Sequence, residues 1–292
     1  MSRAEERDGG SGARAWWRAL EPIHAVTYFA PESLEALRGT GLRGFWMGYF
    51  AARVAPVGAV GPAAVAAAFF NFHPAMVRRS VPDGWTFADP ATVLVARRQG
   101  AARALRRLDP SVEVRSRRLV PLLGPVIERA DGSGRVLFSA NRALSPPDDP
   151  VEALWQACTS LREHRGDGHV AVLTAAGLDG CQALVLFALS EGLPATLFQE
   201  SRGWSADEWE LARARLEARG LVRADRIAPD GVELRRALEQ TTDDLAAAPF
   251  LALGAREADE ALASARSVAR AVAEGGDIPF PNPMGLPAPG AA

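Results

Sequence analysis

The chain has four histidines, each in a segment of unusual composition: His24 in Glu-Pro-Ile-His-Ala, His73 in Phe-Phe-Asn-Phe-His-Pro, and His164 and His169 flanking Arg-Gly-Asp-Gly. Imidazole both ligates metals and moves protons near neutrality, and the neighbouring Glu21, Glu163 and Asp167 are carboxylates able to join it or orient it. His24, His164 and His169 are therefore the metal candidates, and haem or a histidine-ligated metal is the cofactor class they would serve. The spacing works against a paired site. His164 and His169 are five positions apart, about 140° around a helix of ~3.6 residues per turn, so they share a face only where Gly166 and Gly168 distort the helix. A zincin pair would be four apart. The competing readings are structural: His24 as a core histidine beside Trp17 and Tyr28, His73 as a helix-ending residue before Pro74, and Gly166 to Gly168 as a loop between helices.

Aromatic residues gather around the first two histidines. Tyr28, Phe29, Phe45, Trp46, Tyr49, Phe50, Phe69, Phe70 and Phe72 include both tyrosines of the chain. Such a stripe is either core or the wall of an apolar cavity on which phenol and imidazole groups converge. On the second reading the ligand-binding set is His24, Tyr28, Trp46, Tyr49, Phe72, His73, Glu163, His164, Arg165, Asp167 and His169, and the ligand is a planar small molecule or haem. An enzyme on the same residues would use a His with Glu163 or Asp167 as acid and base. No Gly-x-Ser-x-Gly elbow, Gly-x-Gly-x-x-Gly fingerprint or zinc-spaced Cys/His set is present, so no reaction is indicated.

These groups need a scaffold, and 292 residues with 48% apolar and 23% charged side chains are enough for one with a sizeable core. All 33 basic residues are arginine, which excludes a P-loop lysine and any lysine Schiff base. Cys158 and Cys181 are too few for a disulfide framework, and no charged start with an apolar run opens the chain, so a cytoplasmic location is expected. The long uncharged run from Val54 to His73 is broken by Pro56, Gly58, Gly61 and Pro62 and reads as buried, with no membrane partner.

A set of landmarks recurs in the same order. Trp17, Gly41-Leu42-Arg43-Gly44 and Gly84-Trp85-Thr86 are matched by Trp155, Gly177-Leu178-Asp179-Gly180 and Gly203-Trp204-Ser205, each followed by an arginine-bearing helix. The expected organisation is a disordered tail over 1–13, a first unit over 14–147 with a Gly/Pro/aromatic insertion, a second unit over 148–274, and a Pro-rich tail over 275–292. In the second unit Ser205-Ala206-Asp207-Glu208 is a capping box, and Trp209, Ala212 and Leu216 continue a helix that ends at Gly220. An extended segment from Leu221, a turn at Pro229-Asp230-Gly231, a helical face at Leu234, Leu238, Thr241 and Leu245, and another at Leu262, Ala265, Val268 and Val272 follow.

The run Leu216-Glu217-Ala218-Arg219-Gly220-Leu221-Val222, with its turn and leucine helix, resembles the winged helix-turn-helix of MarR-type regulators over roughly Ala183 to Leu245. Through Glu21 to Glu32, Gly41 to Phe50 and Arg162 to His169 the whole chain is similar to an actinobacterial family of helix-turn-helix proteins. MarR-type regulators are dimers of one winged unit. The resemblance therefore implies a mainly α fold of tandem winged units with small β-hairpin wings, forming an intramolecular pseudo-dimer with a small-molecule site between them. The state expected is a monomeric pseudo-dimer or a homodimer. DNA binding is disfavoured in the second unit, because Asp207, Glu208 and Glu210 would face phosphates. In the first unit Arg97, Arg98, Arg103, Arg106 and Arg107, with Arg115, Arg117 and Arg118 beyond them, form either a phosphate-binding face or a surface paired with acids. A ligand-responsive DNA-binding regulator is thus the alternative to a ligand-binding protein whose DNA binding is reduced or lost.

Overall fold

Helix signals dominate, and in the computed structural model, which describes residues 9–286, fifteen helices are joined by short turns. The first half contains α1 (Gly9–Phe29), α2 (Pro31–Gly39), α3 (Gly44–Val54), α4 (Pro62–Ala68), α5 (Pro74–Arg78), α6 (Gly84–Phe87), α7 (Pro90–Leu108), α8 (Val112–Arg129) and α9 (Val136–Arg142). The second contains α10 (Pro150–Ala175), α11 (Gly180–Glu191), α12 (Ala195–Arg202), α13 (Ala206–Ala218), the strands β1 (Val222–Arg223) and β2 (Arg226–Ile227), α14 (Pro229–Ala247) and α15 (Ala255–Glu274). Residues 9–13, expected in a tail, belong to α1, and the rest of that expected tail lies outside the described residues. Helix starts follow ordinary capping chemistry: Asp89, Asp149, Asp179 and Ser205 each accept a backbone N–H of the first turn, and proline stands at the start of six helices, where its missing N–H costs nothing.

The core is built around α1 and α10. α1 packs on α7, α10, α14 and α15, and α10 packs on α7, α8, α9 and α14. Trp16, Leu20, Ile23, Val26, Leu105, Leu119, Leu123, Leu154, Trp155, Val268 and Val272 are all buried there. Three smaller cores flank it: Leu184, Leu186, Phe198, Trp209, Leu216 and Leu238 under the winged region, Phe50, Val54, Val65, Phe69, Phe72 and Met76 around the insertion, and Leu37, Leu42, Ala51 and Val93 where α2, α3 and α7 meet. Packing crosses the expected boundary near residue 148 in both directions, since α1 lies on α14 and α10 lies on α8. Gly41 and Gly177 both take positive φ, 93° and 66°, and each is followed by a leucine that is 4% exposed, Leu42 and Leu178.

Only one hairpin exists among the described residues. It lies in the second half, where Val222 pairs with Ile227, whereas the first half passes from α7 to α8 through a turn at Asp109–Ser111. Its turn is Ala224–Asp225, with φ of 48° and 58°, and not Pro229-Asp230-Gly231 as expected. Pro229 instead opens α14, with Asp230 in the favourable first turn. Gly231 is required where the hairpin crosses the helix, because a Cβ would sit 2.2 Å from the Leu221 carbonyl oxygen. On α14 the buried stripe runs through Leu238 and Thr242 and not through Thr241, leaving Leu245 40% exposed. The run from Val54 to His73 is broken as expected, and Gly44–Val57 and Pro62–Ala68 meet at 91°. Among the described residues no single helix is long and apolar enough to cross a membrane.

Candidate functional site: a cavity between the halves

α1 and α3 from the first half, α10, α11 and α14 from the second, and the segment after α15 line an open-sided cavity of about 1050 Å³. Of the sequence-predicted residues, Tyr28, Trp46, Tyr49, Phe72, Glu163, Arg165, Asp167 and His169 line it, while His24, His73 and His164 do not. The aromatic stripe is both wall and core: Trp46, Tyr49 and Phe72 face the cavity on one side and pack on Phe50 and Phe69 on the other.

One end of the cavity is floored by a buried charge cluster of which sequence reading found the carboxylates, Glu21 and Glu163, and not the arginines. Arg53 donates through Nε (3.2 Å) and Nη2 (3.1 Å) to the Glu163 carboxylate, which is 2% exposed, and through Nη1 to the Tyr49 hydroxyl at 3.1 Å. Arg162 bridges Glu163 (2.8 Å) and Glu21 (3.3 Å). Burial opposes ionisation of Glu163, yet the Arg162 and Arg53 charges prevail and hold its carboxyl at about 2, so it is anionic and no proton acceptor near neutrality. Asp167 differs. Burial raises it to about 6, although its Oδ2 accepts the Phe138 N–H at 2.9 Å, so it is the cavity carboxylate poised to titrate near neutrality.

The histidines do not converge. His24 is 2% exposed beneath the charge cluster, with Nδ1 2.9 Å from the Thr159 hydroxyl and Nε2 2.8 Å from the Tyr28 hydroxyl. Both ring nitrogens are thus engaged, and burial keeps the ring neutral by lowering its pKa well below the usual value. His164 stands edge-on to Phe138, away from the cavity, and burial lowers it to about 4. His169 alone reaches the cavity, and it too is lowered to about 4 by burial. The Thr242 hydroxyl already donates to the Leu238 carbonyl at 2.7 Å, so His169 Nδ1–H must be the donor in its 2.9 Å bond to Thr242, leaving Nε2 an acceptor. The expected metal candidates His24, His164 and His169 therefore form no shared site, and among the described residues no three His, Cys, Asp or Glu side chains gather to hold an ion. The reason is continuity of α10. Gly166 and Gly168 lie inside an unbroken helix and not in a loop, so positions 164 and 169 point to different neighbours. Neither glycine is needed for close approach, since a Cβ at either would find its nearest neighbours at ordinary contact distance.

Further cavity residues carried no motif. Arg14 and Arg165 both pair with Glu239 and Asp243, and Arg235 pairs with Glu239. The segment after α15, expected to be only a Pro-rich tail, forms the wall from Phe280 to Leu286, while residues 287–292 lie outside the described residues. Asn282, 1% exposed, holds that wall by donating to the Pro279 and Leu286 carbonyls and accepting the Met284 and Leu286 N–H groups. The signal available in sequence was the asparagine among prolines.

The arginine-rich face expected on the first half is largely paired. Arg97 is 3% exposed and donates to the Ala52 carbonyl, Asn141 and Gln156, so it is structural and cannot contact a duplex. Arg98 pairs with Glu152, Arg106 with Glu113 and Asp149, and Arg107 with Glu32 and Asp277, while Arg103 is exposed near the Glu32 carbonyl. In the second half α12, the αL residue Gly203 and α13 make a helix-turn-helix followed by the hairpin. First-half residues sit on its turn. His73 N–H donates to the Arg202 carbonyl at 2.8 Å, and Trp204 Nε1 donates to the Asn71 carbonyl at 2.9 Å. His73 Nδ1 accepts the Ala75 N–H, so Nε2–H is left to donate to Glu208 of α13 at 2.9 Å. His73 does precede a helix at Pro74, but as its cap rather than as the end of the preceding one.

A family model described as a helix-turn-helix family matches residues 13–279. No curated protein and no solved structure matches the chain.

Proposed function

We propose, for a chain that belongs to this helix-turn-helix family, that it is a small-molecule-binding protein whose ligand occupies the cavity between the halves, with DNA binding reduced or lost. The observation that carries the reading is the cavity itself: its volume is at the upper limit of drug-sized sites, and its wall sets aromatic faces beside many charged groups, most of them fixed in ion pairs. We further read the scaffold as a duplicated, MarR-like one. The recurrence of glycine-leucine turns before α3 and α11 supports this, as does the exchange in which α1 packs on α14 and α10 on α8. The absence of a first-half wing is the main departure from a strict repeat among the described residues.

Two features favour loss of DNA binding over the regulator reading. The exposed start of α13 carries Asp207 and Glu210, and its preceding turn is covered by His73 and Asn71. Native mass spectrometry of the purified chain tests the proposal, with subunit number and retained mass read together. Extra mass that is absent from the cavity-filling Ala68→Trp variant supports it. A bare chain that shifts duplex DNA in a gel with a steep salt dependence overturns it in favour of the regulator.

A further inference from the structure

Seven arginines line the cavity, and five of them, Arg14, Arg53, Arg162, Arg165 and Arg235, are held by carboxylates. Arg18 is exposed to solvent at the edge. Arg202 is different. It ends α12 with its guanidinium 4.6 Å from the centre of the Phe72 ring, and it donates to the Ser201 carbonyl at 3.1 Å and the Pro283 carbonyl at 3.0 Å. Among the described residues no carboxylate pairs with it, although it lines the same cavity as Arg53 and Arg162. A guanidinium has five N–H donors, of which two are used here; Arg202 is half-buried, and its remaining donors face the cavity beside other cations, where an anion is the favoured partner. Burial lowers its pKa, the direction expected for a charge still lacking its partner.

We propose that Arg202 anchors the acidic head group of an amphipathic organic anion, whose ring-bearing apolar body lies against Phe45, Trp46, Tyr49, Phe72 and Phe280. This rests on the cavity being the ligand site and adds the chemical class of what fills it. A small inorganic anion would leave the aromatic wall and most of about 1050 Å³ unused, whereas a wholly apolar molecule would leave the guanidinium unpaired. Arg202 is held on both sides, by α12 and by the Pro283 carbonyl of the C-terminal wall, so the cation is fixed before the ligand arrives.

Two fluorescent probes with nearly the same body separate charge from cavity: anilinonaphthalene sulfonate, an anion, and phenylnaphthylamine, its neutral analogue. The full-length chain is expected to bind the sulfonate at least about tenfold more tightly than the amine, the scale of one charge-assisted contact. Arg202→Gln should abolish that preference while leaving the amine unchanged, Arg202→Lys should retain part of it, and Arg18→Gln should leave it intact. Preference that survives Arg202→Gln, or vanishes with Arg18→Gln, overturns the assignment while leaving the cavity reading standing. Failure of both probes to bind the unaltered chain overturns the cavity reading itself. If Arg202→Gln loses both probes, Arg202→Lys decides: regained sulfonate binding supports the anchor, and none overturns it.

Discussion

Replacing Glu163 by glutamine removes one negative charge from between two buried arginines while keeping nearly the same shape. Arg53 and Arg162 would then share a buried space with Glu21 as the only remaining carboxylate partner, 3.3 Å from Arg162. Breaking a buried pair from one side costs about 3–5 kcal/mol, because the stranded cation remains out of water. The pKa gives a second measure. Glu163 titrates at about 2 in the fold against an ordinary 4.5, and at about 1.4 kcal/mol per pH unit this difference corresponds to roughly 3 kcal/mol. Because the folded value is the lower one, this stabilisation is fully present above about pH 4.5 and is lost as the pH falls from there toward 2. Glu163→Gln should therefore destabilise the chain by about 3 kcal/mol or more at pH 7, with a deficit that shrinks steadily between about pH 5 and pH 3. Urea unfolding followed by tryptophan fluorescence at a series of pH values reads both numbers. A deficit below about 1 kcal/mol at pH 7 would refute the claim that the cluster is closed to water, and a deficit that does not change with pH would refute the charge as its source.

Other consequences follow from single contacts. Asp167 is raised to about 6, so its ionisation opposes folding as the pH rises through 6; Asp167→Asn should raise the urea midpoint at pH 8 and converge with the unaltered chain near pH 4. A Cβ on Gly180 would lie 2.1 Å from the Phe70 carbonyl oxygen, so Gly180→Ala should cost at least about 1–3 kcal/mol, whereas Gly166→Ala, with ordinary contacts inside α10, should stabilise by up to about 1 kcal/mol. Replacing Asp207 and Glu210 together by arginine should raise non-specific DNA affinity with a steeper salt slope in fluorescence anisotropy; unchanged binding would mean that the covered turn, and not charge, keeps α13 from DNA.

The parts legible in the sequence are those fixed by neighbours close along the chain. Ser205 and Glu208 form the capping box expected of them, Gly220 takes the positive φ expected of a helix stop, and Leu262, Ala265, Val268 and Val272 line the packed face of α15. The failures concern distance and conformation. Pro229 opens a helix as readily as a turn, and α12 was missed because its eight residues bury only Phe198. Arg97 could not be placed inside from sequence, because its acceptors, Ala52, Asn141 and Gln156, come from three separate helices. The eight predicted residues that line the cavity were found by chemical type, while Arg53, Arg162 and Arg202 resembled any other arginine in a chain rich in them.

The absence of lysine bears on how such a site is built. A buried ammonium presents a compact charge, whereas guanidinium spreads its charge over a plane with five donors and an apolar face. Arg53 uses all of these at once: two groups on Glu163, one on the Tyr49 hydroxyl, and its face 4.2 Å from the centre of Phe69. No carboxylate touches Arg97; burial lowers it to about 10, the nearby Glu163 charge opposes that shift, and the three neutral oxygens and the Trp155 ring at 5.3 Å are its direct contacts, so it stays charged at neutral pH. A lysine at either position would have fewer donors and would lose its proton more readily when buried. Arg53→Lys should therefore fail to restore what Arg53→Met loses at pH 7, since one ammonium cannot bridge Glu163 and Tyr49 in the same geometry. Equal urea midpoints for Arg53→Lys and the unaltered chain would show that charge alone, without the planar fork, holds the two halves together over the cavity.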